Sequence, residues 1–110
     1  MDLELVVRGG ALDGKVFPLT QGTTLTIGRM PQCEIQIEDE AVSRKHCTLQ
    51  TVNGEVLVTD LRSANGTFVN EARIEATRIM PGDQLRIGST VLECRTAAAR
   101  KAAPSVTLEM

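Results

Sequence analysis

Residues 46–61, HCTLQTVNGEVLVTDL, read as two strand-like runs on either side of Asn53-Gly54. A two-residue hairpin loop needs positive φ at both positions, and Asn-Gly is the dipeptide that adopts it most readily. This is the strongest local hairpin signal in the chain. It makes an antiparallel sheet, with strands at His46 to Val52 and Glu55 to Leu61, the starting point for everything else.

Outward from that hairpin the hydrophobic period stays close to two. Upstream, strands are predicted at Leu3 to Arg8, Lys15 to Leu19, Thr24 to Arg29 and Glu34 to Ile37. Downstream, Thr67 to Val69 is another. Gln84 to Ile87 and Thr90 to Arg95 form a last hairpin around Gly88-Ser89, fed by a turn at Pro81-Gly82-Asp83. Many short strands without an amphipathic helix predict an all-β sandwich or barrel. After Arg95 the composition turns to alanine and ends in Pro104. The compact domain is therefore expected over residues 1–96, with residues 97–110 a linker or loose tail.

The chain has 110 residues and a formal net charge of -2. One domain of this size buries roughly two thirds of its unfolded surface, enough for a core without staples. Phe17 and Phe68 are the only aromatics, which removes the stacking platform that base recognition uses. With no basic field either, neither a nucleic acid nor a membrane surface is an expected partner. An anion site, if present, must be local. Cys33, Cys47 and Cys94 are an odd set without paired spacing, so reduced thiols and a cytoplasmic location are expected. No stretch is apolar enough for a membrane helix, and Met1 to Glu4 carries no signal-peptide pattern.

Several chemistries fail on context. Gly9 to Lys15 nearly spells a phosphate-binding loop, but Val16 stands where a metal-holding hydroxyl belongs, and Phe17-Pro18 follows where a helix should begin. A glycine-rich β-turn is expected instead. His46 and Cys47 are adjacent in a strand and point to opposite faces, and no other spacing suits a metal. No cofactor is implied. Ser43 and His46 invite a hydrolase reading, with Asp39 or Asp60 as orienting acid, but nothing marks an elbow or an oxyanion hole. No enzyme activity is expected.

A different set is more coherent. Arg29 leaves a strand after Gly28, Ser43 ends a polar loop, and Asn65 opens a turn with Gly66. A phosphate dianion suits a guanidinium fork and short hydroxyl or amide donors. The competing reading has Arg29 paired with Glu38, Asp39 or Glu40, while Ser43 and Asn65 cap turns. Spacing alone leaves both open.

As a set, Gly28-Arg29, Ser43-Arg44-x-His46 and Asp60-Leu61-x-Ser63-x-Asn65-Gly66-Thr67-x-Val69-Asn70 resembles the signature of forkhead-associated (FHA) domains. The resemblance covers about residues 3 to 95. It implies a twisted two-sheet β-sandwich of about eleven short strands that binds phosphothreonine-containing proteins or peptides through loops at one end. By that resemblance Arg29, Ser43 and Arg44 contact the phosphate, and Asn65 bonds the peptide backbone beside it. Gly28, His46, Gly66 and Asn70 support the site: Gly28 lets the backbone bend, His46 ties the loop to its neighbour, and Gly66 permits the turn. Selectivity for flanking residues would come from the loop around Glu71 to Met80, where Arg73 and Arg78 suit acidic neighbours.

One position departs from the pattern. Many members carry Ser or Thr before the Asn-Gly pair, and its hydroxyl also touches phosphate; here it is Ala64. Loss of one charge-assisted hydrogen bond costs about 1.5–3 kcal/mol if nothing replaces it. Ala64 thus keeps a rival in play, a domain that binds an unphosphorylated partner. Thr107 in the tail is a further candidate, as a phosphorylated residue that docks on a neighbouring molecule.

Overall fold

The computed structural model describes residues 3–10 and 12–97. The Thr107 expectation, and the tail beyond Ala97, lie outside the described residues. Eleven strands form two sheets. In chain order they are β1 (Leu3–Arg8), β2 (Val16–Leu19), β3 (Thr24–Gly28), β4 (Ile35–Gln36), β5 (Cys47–Val52), β6 (Glu55–Asp60), β7 (Thr67–Val69), β8 (Ala72–Ile74), β9 (Ala76–Ile79), β10 (Gln84–Ile87) and β11 (Thr90–Thr96). One sheet runs β2-β1-β11-β10-β7-β8 and the other β4-β3-β5-β6-β9. All pairings are antiparallel except β3 with β4.

The two turns read as hairpins adopt the geometry their residues favour. Asn53 and Gly54 both have positive φ, 53° and 77°. The Gly88-Ser89 turn has Gly88 at φ 61° between paired Ile87 and Thr90. A left-handed first position is what a type II′ loop requires, and glycine takes it without steric cost. Residues 12–14 form a turn, where Asp13 accepts from the Gly9 amide and the Gly14 amide donates to the Val7 carbonyl.

Period-two patterning decides which side chains enter the core. Leu5, Val7, Leu92, Leu85 and Ile87 of one sheet meet Ile27, Leu49, Val56 and Val58 of the other, all fully buried. The core is aliphatic, with Phe17 only partly buried against it. Cys33, Cys47 and Cys94 are free thiols within the buried set. Burial pushes the Cys47 thiol up to about 12 and Cys94 up to about 11, so both stay protonated and unreactive at neutral pH.

Two strands escaped the sequence reading. Residues 71–80, expected as a loop, hold β8 and β9. Each is three or four residues long and mostly exposed, so neither shows a hydrophobic period. They are strands because they complete opposite sheets, β8 beside β7 and β9 beside β6. The chain changes sheet at Glu75 between them. It also changes sheet between β6 and β7, through the segment that carries Asn65. A connection that leaves one sheet for the other must cross the end of the sandwich, which puts Asn65 there.

Candidate functional site

Three connections meet at one end of the sandwich: β3–β4, β4–β5 and β6–β7. Beyond the strands, the Arg29 amide donates to the Ser43 carbonyl at 3.0 Å and the Met30 amide to the Arg44 carbonyl at 3.2 Å. The β3–β5 pairing thus continues into the loops and sets Arg29 beside Ser43. Gly28 is needed here for closeness. A Cβ at this position would stand 2.1 Å from the Arg44 carbonyl oxygen and 2.9 Å from Cys33 Sγ. Its φ is not left-handed, so the expected backbone bend is not its role.

His46 is fully buried and holds the loops together. Its Nδ1 accepts from the Ser43 amide at 3.0 Å, and its Nε2 lies 2.8 Å from the Gly66 carbonyl. An acceptor at Nδ1 assigns the proton to Nε2, which therefore donates to Gly66. Neither nitrogen faces the Ser43 hydroxyl, so the two residues do not form the base–nucleophile pair a hydrolase needs. Gly66 itself has φ 90°, a conformation glycine takes freely.

Asp60 anchors the third loop. Its carboxylate accepts from Ser63 Oγ at 2.6 Å, the Ser63 amide at 3.1 Å and Thr67 Oγ1 at 2.7 Å. Burial alone would raise its pKa. The Ser63 and Thr67 hydrogen bonds and the nearby His46 outweigh that and hold it below the ordinary carboxylate range. Ser63 Oγ in turn accepts from the Gly66 amide at 3.0 Å. Asp60 and Ser63 were legible only as part of a pattern; their spacing of three fits a side chain reaching a turn amide.

Each ligand-facing candidate spends one group on the fold and keeps another. Arg29 donates from Nε to the Val42 carbonyl at 3.0 Å, and its terminal nitrogens have no partner among the described residues. Ser43 Oγ accepts from the Ala64 amide at 3.0 Å, which leaves its hydroxyl proton to donate. Asn65 donates from Nδ2 to the Ala41 carbonyl at 2.8 Å, and its Oδ1 is open. The Arg44 side chain is exposed and makes no contact of this kind, although its carbonyl is fixed by Met30 and by Cys33 Sγ at 3.4 Å. The acidic run does not fill this cup. Asp39 turns away to accept from the Ala41 amide and from Ser89, and those bonds lower its pKa.

The FHA domain description matches residues 25–88. The chain belongs to the FHA domain family. It is 39% identical over 84 residues to the glycogen accumulation regulator GarA of Mycolicibacterium smegmatis, covering 76% of this chain and 52% of that protein. It is 42% identical over 84 residues to the oxoglutarate dehydrogenase inhibitor of Corynebacterium glutamicum, covering 76% of this chain and 58% of that one. The chain spans about half the length of the curated relatives it matches. A solved structure from work on phosphothreonine-dependent FHA domain interactions superposes with a TM-score of 0.79 at 29% identity, over 87% of this chain and 97% of that one.

Two residues of this FHA domain sit differently from expectation. Asn70 is at the far end of β7, about 13 Å along the chain from Gly66. There its Oδ1 accepts from the Gln84 amide at 3.0 Å and its Nδ2 donates to Asp83 at 3.1 Å. It supports the sandwich rather than the loops. Arg78 faces the same distant end and pairs with Glu55 at 3.3 Å, so of the two arginines suited to acidic neighbours only Arg73 lies near the loops. Among the described residues no helix is long and apolar enough to cross a membrane.

Proposed function

We propose that this FHA domain is a cytoplasmic phosphothreonine-peptide-binding module in Ser/Thr kinase-linked signalling. Arg29, Ser43 and Arg44 hold the phosphate, and Asn65 bonds the peptide backbone beside it. Gly28, His46 and Gly66 keep the loops in register. Binding makes and breaks no covalent bond, so the module is not an enzyme. Phosphorylation adds about two negative charges and three acceptor oxygens, and only that group answers the free Arg29 and Ser43 donors.

The observation that carries this reading is the division of labour at the cup. Arg29, Ser43 and Asn65 are each fixed by one hydrogen bond to a neighbouring loop, and each presents a further group with no protein partner. Sites of this kind are preorganised, so little side-chain entropy remains to be lost on binding. The relatives support the same direction: by name they are a regulator and an inhibitor.

Calorimetric titration with a phosphothreonine peptide library and its unphosphorylated twin tests the reading. Only the phosphorylated form should bind, and Arg29→Ala should weaken it by about 2–3 kcal/mol, or roughly 30- to 150-fold. Ala64 removes one hydroxyl from the cup and is the feature that favours phosphorylation-independent binding of a protein partner. Equal affinity for the two libraries, unaffected by Arg29→Ala, would establish that second reading in place of the first.

A further inference from the structure

The four arginines at the loop end, Arg29, Arg44, Arg62 and Arg73, make no ion pair among the described residues. Arg29 is aimed by a carbonyl instead, that of Val42, and Asn65 by the carbonyl of Ala41 next to it. Two adjacent residues of the β4–β5 loop therefore orient two side chains of the cup. Whatever fixes those two residues fixes the cup.

Asp39 fixes both. Its Oδ1 accepts from the Ala41 amide at 2.9 Å, an Asx turn, and its carbonyl accepts from the Val42 amide at 2.9 Å. Its Oδ2 reaches the other sheet, accepting from Ser89 Oγ at 3.0 Å and from the Ser89 amide at 3.3 Å. The approach is close on the apolar side too. A Cβ on Gly88 would stand 2.8 Å from Asp39 Oδ2 and 3.1 Å from Val42 Cγ2, and the Val42 side chain is fully buried. The β4–β5 loop joins strands of the five-stranded sheet, while Gly88-Ser89 joins β10 and β11 of the six-stranded one. One carboxylate thus braces the two sheets against each other, just upstream of the carbonyls that hold Arg29 and Asn65. Ser89 is exposed, so its side chain is open to change without disturbing the core.

We propose that Asp39 and Ser89 are positioning residues for phosphothreonine-peptide binding. The Gly88-Ser89 turn seats the β4–β5 loop, and the seated loop aims Arg29 and Asn65 through the Val42 and Ala41 carbonyls. This rests on the phosphothreonine reading above and adds to it a control point outside the cup. A negative charge on Ser89, by substitution or phosphorylation, faces the Asp39 carboxylate and unseats the loop.

The test uses the chain with the phosphothreonine peptide library and its unphosphorylated twin, with Asn70→Ala as the control for stability alone. Asp39→Ala should weaken phosphopeptide binding roughly tenfold, the cost of ordering two side chains that are no longer held. Ser89→Glu should weaken it at least as much. Asp39→Asn keeps an acceptor for the Ala41 amide and should restore affinity to within about threefold of the unsubstituted chain. Two-dimensional NMR of the free proteins supplies a second readout. In Asp39→Ala and Ser89→Glu the Arg29 Nε–H and Asn65 amide protons should exchange faster with water, while the His46 Nε2–H bonded to Gly66 keeps its protection. Phosphopeptide affinities of Asp39→Ala and Ser89→Glu that match Asn70→Ala overturn the positioning role and leave the phosphothreonine reading standing. Loss of the His46 signal together with that of Arg29 makes Asp39 a general scaffold residue and overturns it as well. An unsubstituted chain that does not prefer the phosphorylated library overturns both readings.

Discussion

The two ends of the sandwich are built from similar residues and end up in opposite states. At the far end the loops close on themselves. Asn53-Gly54 makes a tight turn, Asn70 bridges to Asp83 and Gln84, Asp83 accepts from the Met80 amide, and Arg78 is neutralised by Glu55. At the other end the loops fasten to one another through His46, Ser43, Asp60 and Asn65, yet four arginines beside them make no ion pair among the described residues. Closure at one end serves stability alone. Closure that still leaves charge unsatisfied costs the fold some electrostatic stabilisation and makes sense as preparation for an anion.

The sharpest way to break that contrast is at Gly28. Gly28→Ala forces a methyl onto the Arg44 carbonyl, a backbone atom that cannot swing aside. Thermal or denaturant unfolding should show a loss of about 3 kcal/mol or more, with the phosphate cup displaced even in the folded fraction. A variant of unchanged stability would mean that the Gly28–Arg44 approach is not what sets the loops.

His46 and Asn65 refine the comparison within the loop end. His46→Ala removes a fully buried ring and strands the Ser43 amide and the Gly66 carbonyl, so stability should fall by about 2–3 kcal/mol. Asn65→Ala removes an exposed side chain and one loop contact, so its cost should stay under about 1 kcal/mol while peptide affinity falls. Equal melting temperatures for the two variants would count against separate scaffold and contact roles.

The smallest effect on binding belongs to the far end. Asn70→Ala should lower stability by about 1 kcal/mol through its bonds to Gln84 and Asp83, with phosphopeptide affinity unchanged. A clear drop in affinity there would erase the distinction between the ends.

Part of the fold was readable from residue order because some strand pairs are local hairpins, whereas pairings such as β1 with β11 join distant segments. Asn53-Gly54 and Gly88-Ser89 each dictate a turn, and each turn fixes the register of the strands it joins. The site was readable as a list of residue types in a pattern, Gly28-Arg29, Ser43, His46 and Asn65-Gly66. Its fastenings were not, because many are backbone atoms. The carbonyls of Val42, Ala41 and Gly66 that orient Arg29, Asn65 and His46 carry no mark in the sequence. Strands β8 and β9 were hidden for a related reason: they are themselves sheet edges, and their own side chains are mostly exposed.

Arg73 and Arg78 show where the boundary falls. Five residues apart and identical in chemistry, they are indistinguishable as sequence. The alternation of apolar residues and the turn dipeptides determined that this chain would be all-β, a sandwich or a barrel, with polar loops. Only the three-dimensional arrangement decided that Arg78 meets Glu55 while Arg73 lies beside Gly66 with no ion pair among the described residues. Local backbone preferences act over a few residues and can be read along the chain. Charge satisfaction depends on which strand the fold sets alongside, and that is settled by packing two sheets together.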